Sequence, residues 1–178
     1  NGEAPVFIDD GSIKNNIQRF QQYYKNQGYF DTDVKAEKIL SPNQKGIVKY
    51  DIQTYDQYTI DSISKKISSP ALDSLYNLTF KNRLIKTGDP FEIDRFEAER
   101  SRLINFFRNN GVYNFQQNNL QFTAAIDSSG VDTKIPVVVE ISNLQRREND
   151  SLKTIPYQIH KVKKINLFLD TAGQMGQL

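Results

Sequence analysis

The chain has 178 residues, of which 38% are hydrophobic and 11% aromatic, which is enough for packed cores and argues against a disordered segment. Its 23 lysines and arginines are interspersed with 21 aspartates and glutamates, so the net charge of +2 forms no basic stripe and predicts no nucleic-acid partner. The absence of cysteine excludes a disulfide framework and a thiolate metal site, and no run of about 18 apolar residues predicts a membrane span.

The first predicted element is a helix that begins near Ser12. Apolar residues recur at helical spacing from Ile13 to Tyr24, which gives the helix one apolar stripe. Ser12 is the predicted N-cap, because its hydroxyl can accept from a free N–H of the first turn. Gly28 is placed to end the helix, since glycine readily adopts the left-handed conformation found after many helices.

A hairpin is predicted after this helix. Val34 and Ala36 alternate with Lys35 and Glu37, residues 41–44 have turn composition, and residues 48–53 alternate again. This pattern predicts two strands with one buried and one solvent-facing side.

The next segment adds a strand and a helix. Ile60 and Ile63 are out of phase for strict alternation, so the strand near 58–67 is expected to carry a bulge or to start late. Pro70 occupies a position typical of the first turn of a helix. After a break at 87–90, Asp94 and Glu97 resemble a capping box at the start of a further helix.

A second hairpin is predicted at the end of this segment. Residues 120–126 and 137–141 each alternate, and a turn is expected at 127–130. Residues 58–148 therefore read β-α-α-β-β. This order predicts an α+β fold in which two helices cover one face of a three-stranded mixed sheet.

The chain repeats itself. The run YYKNQGYF at 23–30 is matched by FFRNNGVY at 106–113, and YTIDSISKKI at 58–67 is matched by YQIHKVKKI at 157–165. We therefore predict the end of one repeat at 1–57, a complete repeat at 58–148, and the opening strand and tail of a third at 149–178.

The repeated helix end, with two aromatics, a base, Asn and Gly, resembles the POTRA domain, as does the run GDPF at 88–91. Consecutive POTRA repeats are similar to the arm of BamA/TamA outer-membrane assembly proteins. POTRA domains also occur in two-partner secretion transporters and in division proteins, so the resemblance leaves the substrate open. The run GEAPV at 2–6 and the Asn-, Asp-, Lys- and Tyr-rich composition resemble a TamA-like protein of the Bacteroidetes type. The resemblance implies a periplasmic location, attached to the outer membrane by a barrel that lies downstream and outside this stretch.

The resemblance also implies a mode of binding. In this family the second strand of each repeat lies at the sheet edge, where unfolded outer-membrane proteins or assembly-complex subunits can add a strand. Gln121 and Thr123 lack the charge that often prevents pairing at a sheet edge, whereas Lys35 and Glu37 carry such charges. The predicted binding residues are Leu120, Gln121, Phe122, Thr123, Ala124, Val34, Lys35 and Ala36; the structural motif residues are Gly28, Gly111, Tyr24 and Phe107.

An enzyme and a purely structural role are the two alternatives to client binding. His160 is the only histidine, and it has no nucleophile elbow beside it, so neither an enzyme nor a cofactor or metal site is predicted. The acidic residues from Glu92 to Glu99 suit the first turns of a helix. The second alternative is structural: the repeats would serve only as a spacer or docking arm between a barrel and its partners.

Overall fold

The structure, a computed structural model, describes residues 7–42, 45–127 and 132–166. Its helices are α1 (Asp10–Asn26), α2 (Pro70–Thr79) and α3 (Ile93–Asn109), with short 3-10 turns at Phe80–Asn82 and Gln117–Asn119. Its strands are β1 (Asp33–Leu40), β2 (Gly46–Gln53), β3 (Thr59–Ile67), β4 (Leu120–Ala124), β5 (Lys134–Ile141), β6 (Leu144–Glu148) and β7 (Ser151–Ile155).

The first unit consists of α1 packed on the β1–β2 hairpin. The two strands are antiparallel, and Val34 lies opposite Ile52 in their register. Phe20 on the helix meets Tyr50 on the sheet with ring centroids 5.2 Å apart. Both predicted strands are confirmed, and the alternation of apolar and polar residues determines which side faces the helix.

The N-cap of α1 is Asp9, so the prediction of Ser12 was wrong. The Asp9 carboxylate accepts a hydrogen bond from the Ser12 backbone N–H at 3.0 Å, and Ser12 lies within the first turn. Hydrogen bonds from Ser12 hold the pKa of Asp9 below its usual value. A carboxylate is a strong acceptor and also complements the positive end of the helix, which favours Asp9 over a hydroxyl.

The second unit has the predicted β-α-α-β-β order and forms a three-stranded mixed sheet. Its strand order is β3-β5-β4, with β3 parallel and β4 antiparallel to β5. The predicted irregularity in β3 is confirmed by a register shift between Ile60 and Ser62. The fold class predicted from the sequence is therefore confirmed.

Helices α2 and α3 bury one face of this sheet. Both helices and the strands β4 and β5 contribute almost fully buried residues to the core. These include Leu72, Leu75, Leu103, Phe107, Leu120, Val139 and Ile141. A second cluster lies at the other end of the sheet and comprises Tyr58, Ile60, Ile85, Phe91, Phe96, Ile135 and Val137.

Helix α2 begins at Pro70 as predicted, but the start of α3 differs from the prediction. Its N-cap is Glu92, which makes no side-chain capping bond, so the capping box of Asp94 and Glu97 was wrong. Glu92 instead pairs with Arg95 at 2.6 Å. Within α3, the buried Glu99 accepts from the Leu84 N–H at 2.9 Å and pairs with Arg102 at 2.7 Å, which links α3 to the chain that follows α2.

Strands β6 and β7 form a hairpin that the sequence did not reveal. Their turn places Asn149 and Asp150 at φ values of 47° and 59°, the left-handed conformation that two-residue hairpin turns require. Residues 156–166 form no strand in the described part of the chain. The three-part division into repeats remains a prediction.

Candidate polypeptide-binding edge

Strand β4 lies at the edge of the three-stranded sheet. Within the described part of the chain it pairs with β5 alone, and Phe122 lies opposite Val139. The residues that flank β4 fix the direction of its hydrogen bonds: the Ser142 N–H donates to the Asn119 carbonyl at 2.9 Å, and the Ala125 N–H donates to the Pro136 carbonyl at 3.5 Å. The backbone N–H and C=O groups of the odd-numbered residues in this stretch therefore point toward β5.

Backbone direction alternates along a strand, so the even-numbered residues of β4 turn their N–H and C=O groups outward. These residues are Leu120, Phe122 and Ala124. Among the residues that the structure describes, only the Leu120 N–H has a partner, the Gln117 carbonyl of the preceding 3-10 turn. No described residue forms a backbone hydrogen bond with the other outward groups. The edge therefore offers two donors and three acceptors at the spacing of a further strand.

The side chains of β4 hold this edge in place. The Leu120 side chain is fully buried in the core, and the Phe122 ring packs against Phe96 with centroids 5.4 Å apart. Gln121 and Thr123 are exposed on the other face, which carries no charge along β4. The strand is thus anchored from one side and open to backbone pairing along its rim.

Arg100 on α3 is a residue of this edge that the sequence analysis missed. Its guanidinium lies over the Phe122 ring at 5.7 Å, and its Nε atom is buried without a hydrogen bond within the described residues. Arg100 follows Phe96 by one helical turn, so the spacing was visible in the sequence. Its position beside β4 was not, because no local pattern relates α3 to that strand.

The predicted residues of β1 have a different environment. The hydrogen bond from the Ser41 N–H to the Lys45 carbonyl at 2.8 Å implies that the even-numbered residues, Val34 and Ala36 among them, turn their backbone groups away from β2. Lys35 is exposed and pairs with Asp33 at 2.8 Å, and the hydrogen bond to Asp33 raises the pKa of Lys35. Charges therefore line the open face of β1, whereas the face of β4 carries none.

The two motif glycines lie where each repeat meets the chain that follows it. Gly28 and Gly111 have φ values of 84° and 94°, the left-handed conformation predicted for them. The Gly28 carbonyl accepts from the Tyr58 N–H at 2.9 Å, and the Gly111 carbonyl accepts from the His160 N–H at 2.8 Å. Each glycine therefore ends a helix and also anchors a later segment of the chain, which is the start of β3 in the first case and residues 156–166 in the second.

The other two motif residues differ in burial. The Phe107 side chain is fully buried in the core of the second unit, whereas Tyr24 is half-buried and packs edge-on against Tyr23 and Tyr29. Phe107 shares its core cluster with Leu120 of β4, whereas Gly28, Gly111 and Tyr24 lie at or beside the two helix ends. They shape the helix end and its neighbours.

The described residues bring no three metal-binding side chains together. Within the same part of the chain, none of the helices combines the length and the apolar character needed to cross a membrane.

Solved structures similar to this chain include three POTRA-containing proteins. BamA from Haemophilus ducreyi lacking POTRA domains 1–3 matches 81% of this chain at 11% identity, with a TM-score of 0.45. POTRA domains 3–5 of Haemophilus influenzae BamA match 76% at 15% identity with a TM-score of 0.43, and POTRA domains 1–3 of Omp85 from Anabaena match 75% at 15% identity with a TM-score of 0.38.

The chain is similar to BamA-family POTRA domains. It covers 25% of the first of these structures and 51% of each of the other two. No protein-family model and no curated protein sequence matches the chain.

Proposed function

We propose that this chain is a stretch of periplasmic POTRA repeats that binds unfolded outer-membrane proteins by strand addition to β4. The observation that carries the proposal is the row of outward backbone groups at Leu120, Phe122 and Ala124, of which only the Leu120 N–H has a partner among the described residues. Backbone pairing is insensitive to side-chain sequence, which suits clients that share β-propensity and little else.

The expected affinity at one edge is low. Each backbone hydrogen bond contributes about 0.5–1.5 kcal/mol net, and the three outward residues of β4 provide only a short ladder. Repeats in tandem would raise the effective concentration of edges around one client without tight binding at any of them. A client held in this way can also be released, as an assembly factor requires.

The charged residues of β1 rank it as the weaker site. Lys35 and Glu37 lie exposed on its open face, and such charges oppose the approach of an apolar strand. The uncharged pair Gln121 and Thr123 on β4 presents no such obstacle. We therefore place the first contact of a client at β4.

The proposal extends to the setting of the protein. The repeats would lie in the periplasm, attached to the outer membrane through a barrel outside this stretch, and would contact other subunits of an assembly complex. The TamA-like assignment within the family remains a prediction from composition.

Two neighbouring alanines provide a matched test of strand addition. Ala124→Pro removes an outward N–H of β4, whereas Ala125→Pro removes the inward N–H that donates to Pro136. We expect Ala124→Pro to weaken binding of a β-strand peptide from an outer-membrane barrel about fivefold, the equivalent of roughly 1 kcal/mol, and Ala125→Pro to leave it unchanged.

The measurement is a titration of the ¹⁵N-labelled chain followed by amide shifts. Shifts concentrated at residues 120–124 are expected in the unsubstituted chain. Equal affinity of the two proline variants, or shifts confined to other surfaces, would refute the assignment of the β4 edge.

A spacer role is the alternative that one observation favours. At both glycine junctions a later segment of the chain is hydrogen-bonded to the preceding helix end, an arrangement suited to hold successive repeats at a fixed angle. A flat response to strand peptides throughout residues 33–40 and 120–124 would support this role in place of client binding.

A further inference from the structure

The two glycine junctions share one geometry. In the first, the Phe30 ring meets Tyr58 with centroids 5.0 Å apart and ring planes at 74°. In the second, the Tyr113 ring meets His160 at the same 5.0 Å and at 73°. Together with the hydrogen bonds to Gly28 and Gly111, these contacts make His160 the structural counterpart of Tyr58.

This equivalence corrects the sequence match, which paired Tyr58 with Tyr157. Tyr157 is buried in the second unit, where its N–H donates to the Ser69 Oγ at 2.8 Å and its hydroxyl accepts from Asn119 at 2.9 Å. The segment that corresponds structurally to residues 58–67 therefore starts at residue 160, three residues later than the sequence match implied.

In the corrected register, Val162 and Ile165 take the places of Ile60 and Ile63. Ile60 is 1% exposed, in the core, whereas Val162 and Ile165 are 80% and 75% exposed. Two positions that the second repeat uses for its core are therefore uncovered at the second junction. The apolar surface around them is a place where another segment is expected to pack.

The first junction shows what covers such a surface. Phe91, on the loop after Gly88, packs its ring 5.7 Å from Phe30, and its N–H donates to the Tyr58 carbonyl at 2.9 Å. At the second junction no described residue takes this place, and a groove of about 580 Å³ lies there instead. Its lining includes Arg108, Gly111, Tyr113, Ile159, His160 and Val162.

We infer that this groove, the Tyr113–His160 groove, binds an aromatic side chain carried on an extended Gly-x-Pro-Phe-type loop of a further repeat. The inference rests on the proposed repeat array. The occupant's aromatic ring lies against Tyr113, and its N–H donates to the His160 carbonyl, to which no backbone amide donates within the described residues. These two contacts reproduce those of Phe91 at the first junction.

Charge supports the same occupant. Arg108 and Lys161 line the groove, whereas Asp89 and Glu92 flank Phe91 in the loop that fills the first junction. At the first junction both carboxylates pair with Arg95 of their own unit, so the sign of the loop's charge suits the groove while the aromatic contact carries the match.

The probe that tests this inference is a capped peptide with the sequence of residues 86–93, KTGDPFEI, added to the ¹⁵N-labelled 178-residue chain. We expect saturable shifts at the amides of Gly111, Tyr113 and His160 in the millimolar range. The same peptide with Phe91→Ala is expected to leave those amides unmoved. No shifts with the first peptide, or equal shifts with both, would overturn the inference.

Two chain variants locate the binding site. Tyr113→Ala removes a ring that is 67% exposed, so the fold should persist, and it is expected to weaken the peptide about fivefold. Leu78→Ala changes an exposed apolar residue elsewhere and should have no effect. Equal affinity of the Tyr113 and Leu78 variants for the peptide would refute binding at the Tyr113–His160 groove.

The test is separable from that of the β4 edge. A peptide that shifts residues 120–124 and not Gly111 would support strand addition while refuting the groove. Shifts at Gly111 without shifts at residues 120–124 would support the repeat array but not client binding at β4.

Discussion

Helices α1 and α3 carry the same motif and have the same length of 17 residues, yet they differ in burial. Helix α1 has no buried residue, whereas α3 buries five, namely Phe96, Glu99, Leu103, Ile104 and Phe107. Helix α3 packs against α2 and a three-stranded sheet, while α1 packs in the described structure against a two-stranded hairpin. A shared local sequence therefore determines the helix and its end, and the neighbouring elements determine how much of it is buried.

Substitution at the aromatic positions of the motif should change the free energy of unfolding by very different amounts in the two copies, and this is the largest effect that we expect. Phe107→Ala removes a fully buried ring and is expected to lower the free energy of unfolding by about 3–5 kcal/mol. Tyr24→Ala removes a half-buried ring and should cost about 1 kcal/mol. Urea unfolding of both variants measures the difference. Equal costs would show that α1 is as well packed as α3.

Alanine substitutions at two glycines should differ less in their cost in stability. The comparison separates the effect of the close contact at the first junction from the effect of backbone strain. Gly28 and Gly88 have nearly equal φ values of 84° and 88°, so alanine at either is expected to cost about 1–2 kcal/mol in conformational strain. A Cβ at Gly28 would lie 2.7 Å from the Phe91 carbonyl oxygen, whereas a Cβ at Gly88 would meet nothing within 4 Å.

Gly28→Ala is therefore expected to be more destabilising than Gly88→Ala by at least about 1 kcal/mol. Amide shifts around Tyr58 and Phe91 should move only in the Gly28 variant. If both variants lose the same stability, the close contact between the two units contributes nothing.

The smallest effect concerns the pH dependence of the first junction. Burial, and then the hydrogen bond from its hydroxyl to Asp31 at 2.9 Å, raises the pKa of Tyr58 above its ordinary value of 10.0. The folded state therefore favours the neutral phenol. This contribution to stability is complete below the ordinary value and is lost as the pH rises through the higher folded-state pKa.

Tyr58→Phe should cost about 0.5–1.5 kcal/mol at neutral pH and should make the loss of stability above pH 10 less steep. Unfolding measured from pH 8 to pH 11 gives both quantities, with Tyr23→Phe, an exposed ring, as the control. An unchanged alkaline profile in Tyr58→Phe would exclude this tyrosine as the source of the dependence.

The sequence by itself determined the order of elements in the second unit, the start of α2 and the ends of α1 and α3. The periods of apolar residues specified both hairpins, Pro70 marked the start of α2, and Gly28 and Gly111 marked the ends of α1 and α3. The bulge near Ile60 was also visible as a break in alternation. All these features depend on residues within a few positions of one another, so local stereochemistry is sufficient to predict them.

Only the tertiary structure decided which groups meet across long separations in the chain. It placed Arg100 beside Phe122, and it turned the backbone of Leu120, Phe122 and Ala124 outward. It also buried Tyr157 against Ser69, which made His160 the counterpart of Tyr58. Sequence periodicity cannot specify such pairings, because two similar registers differ only in the distant partners that accept their hydrogen bonds and cover their side chains.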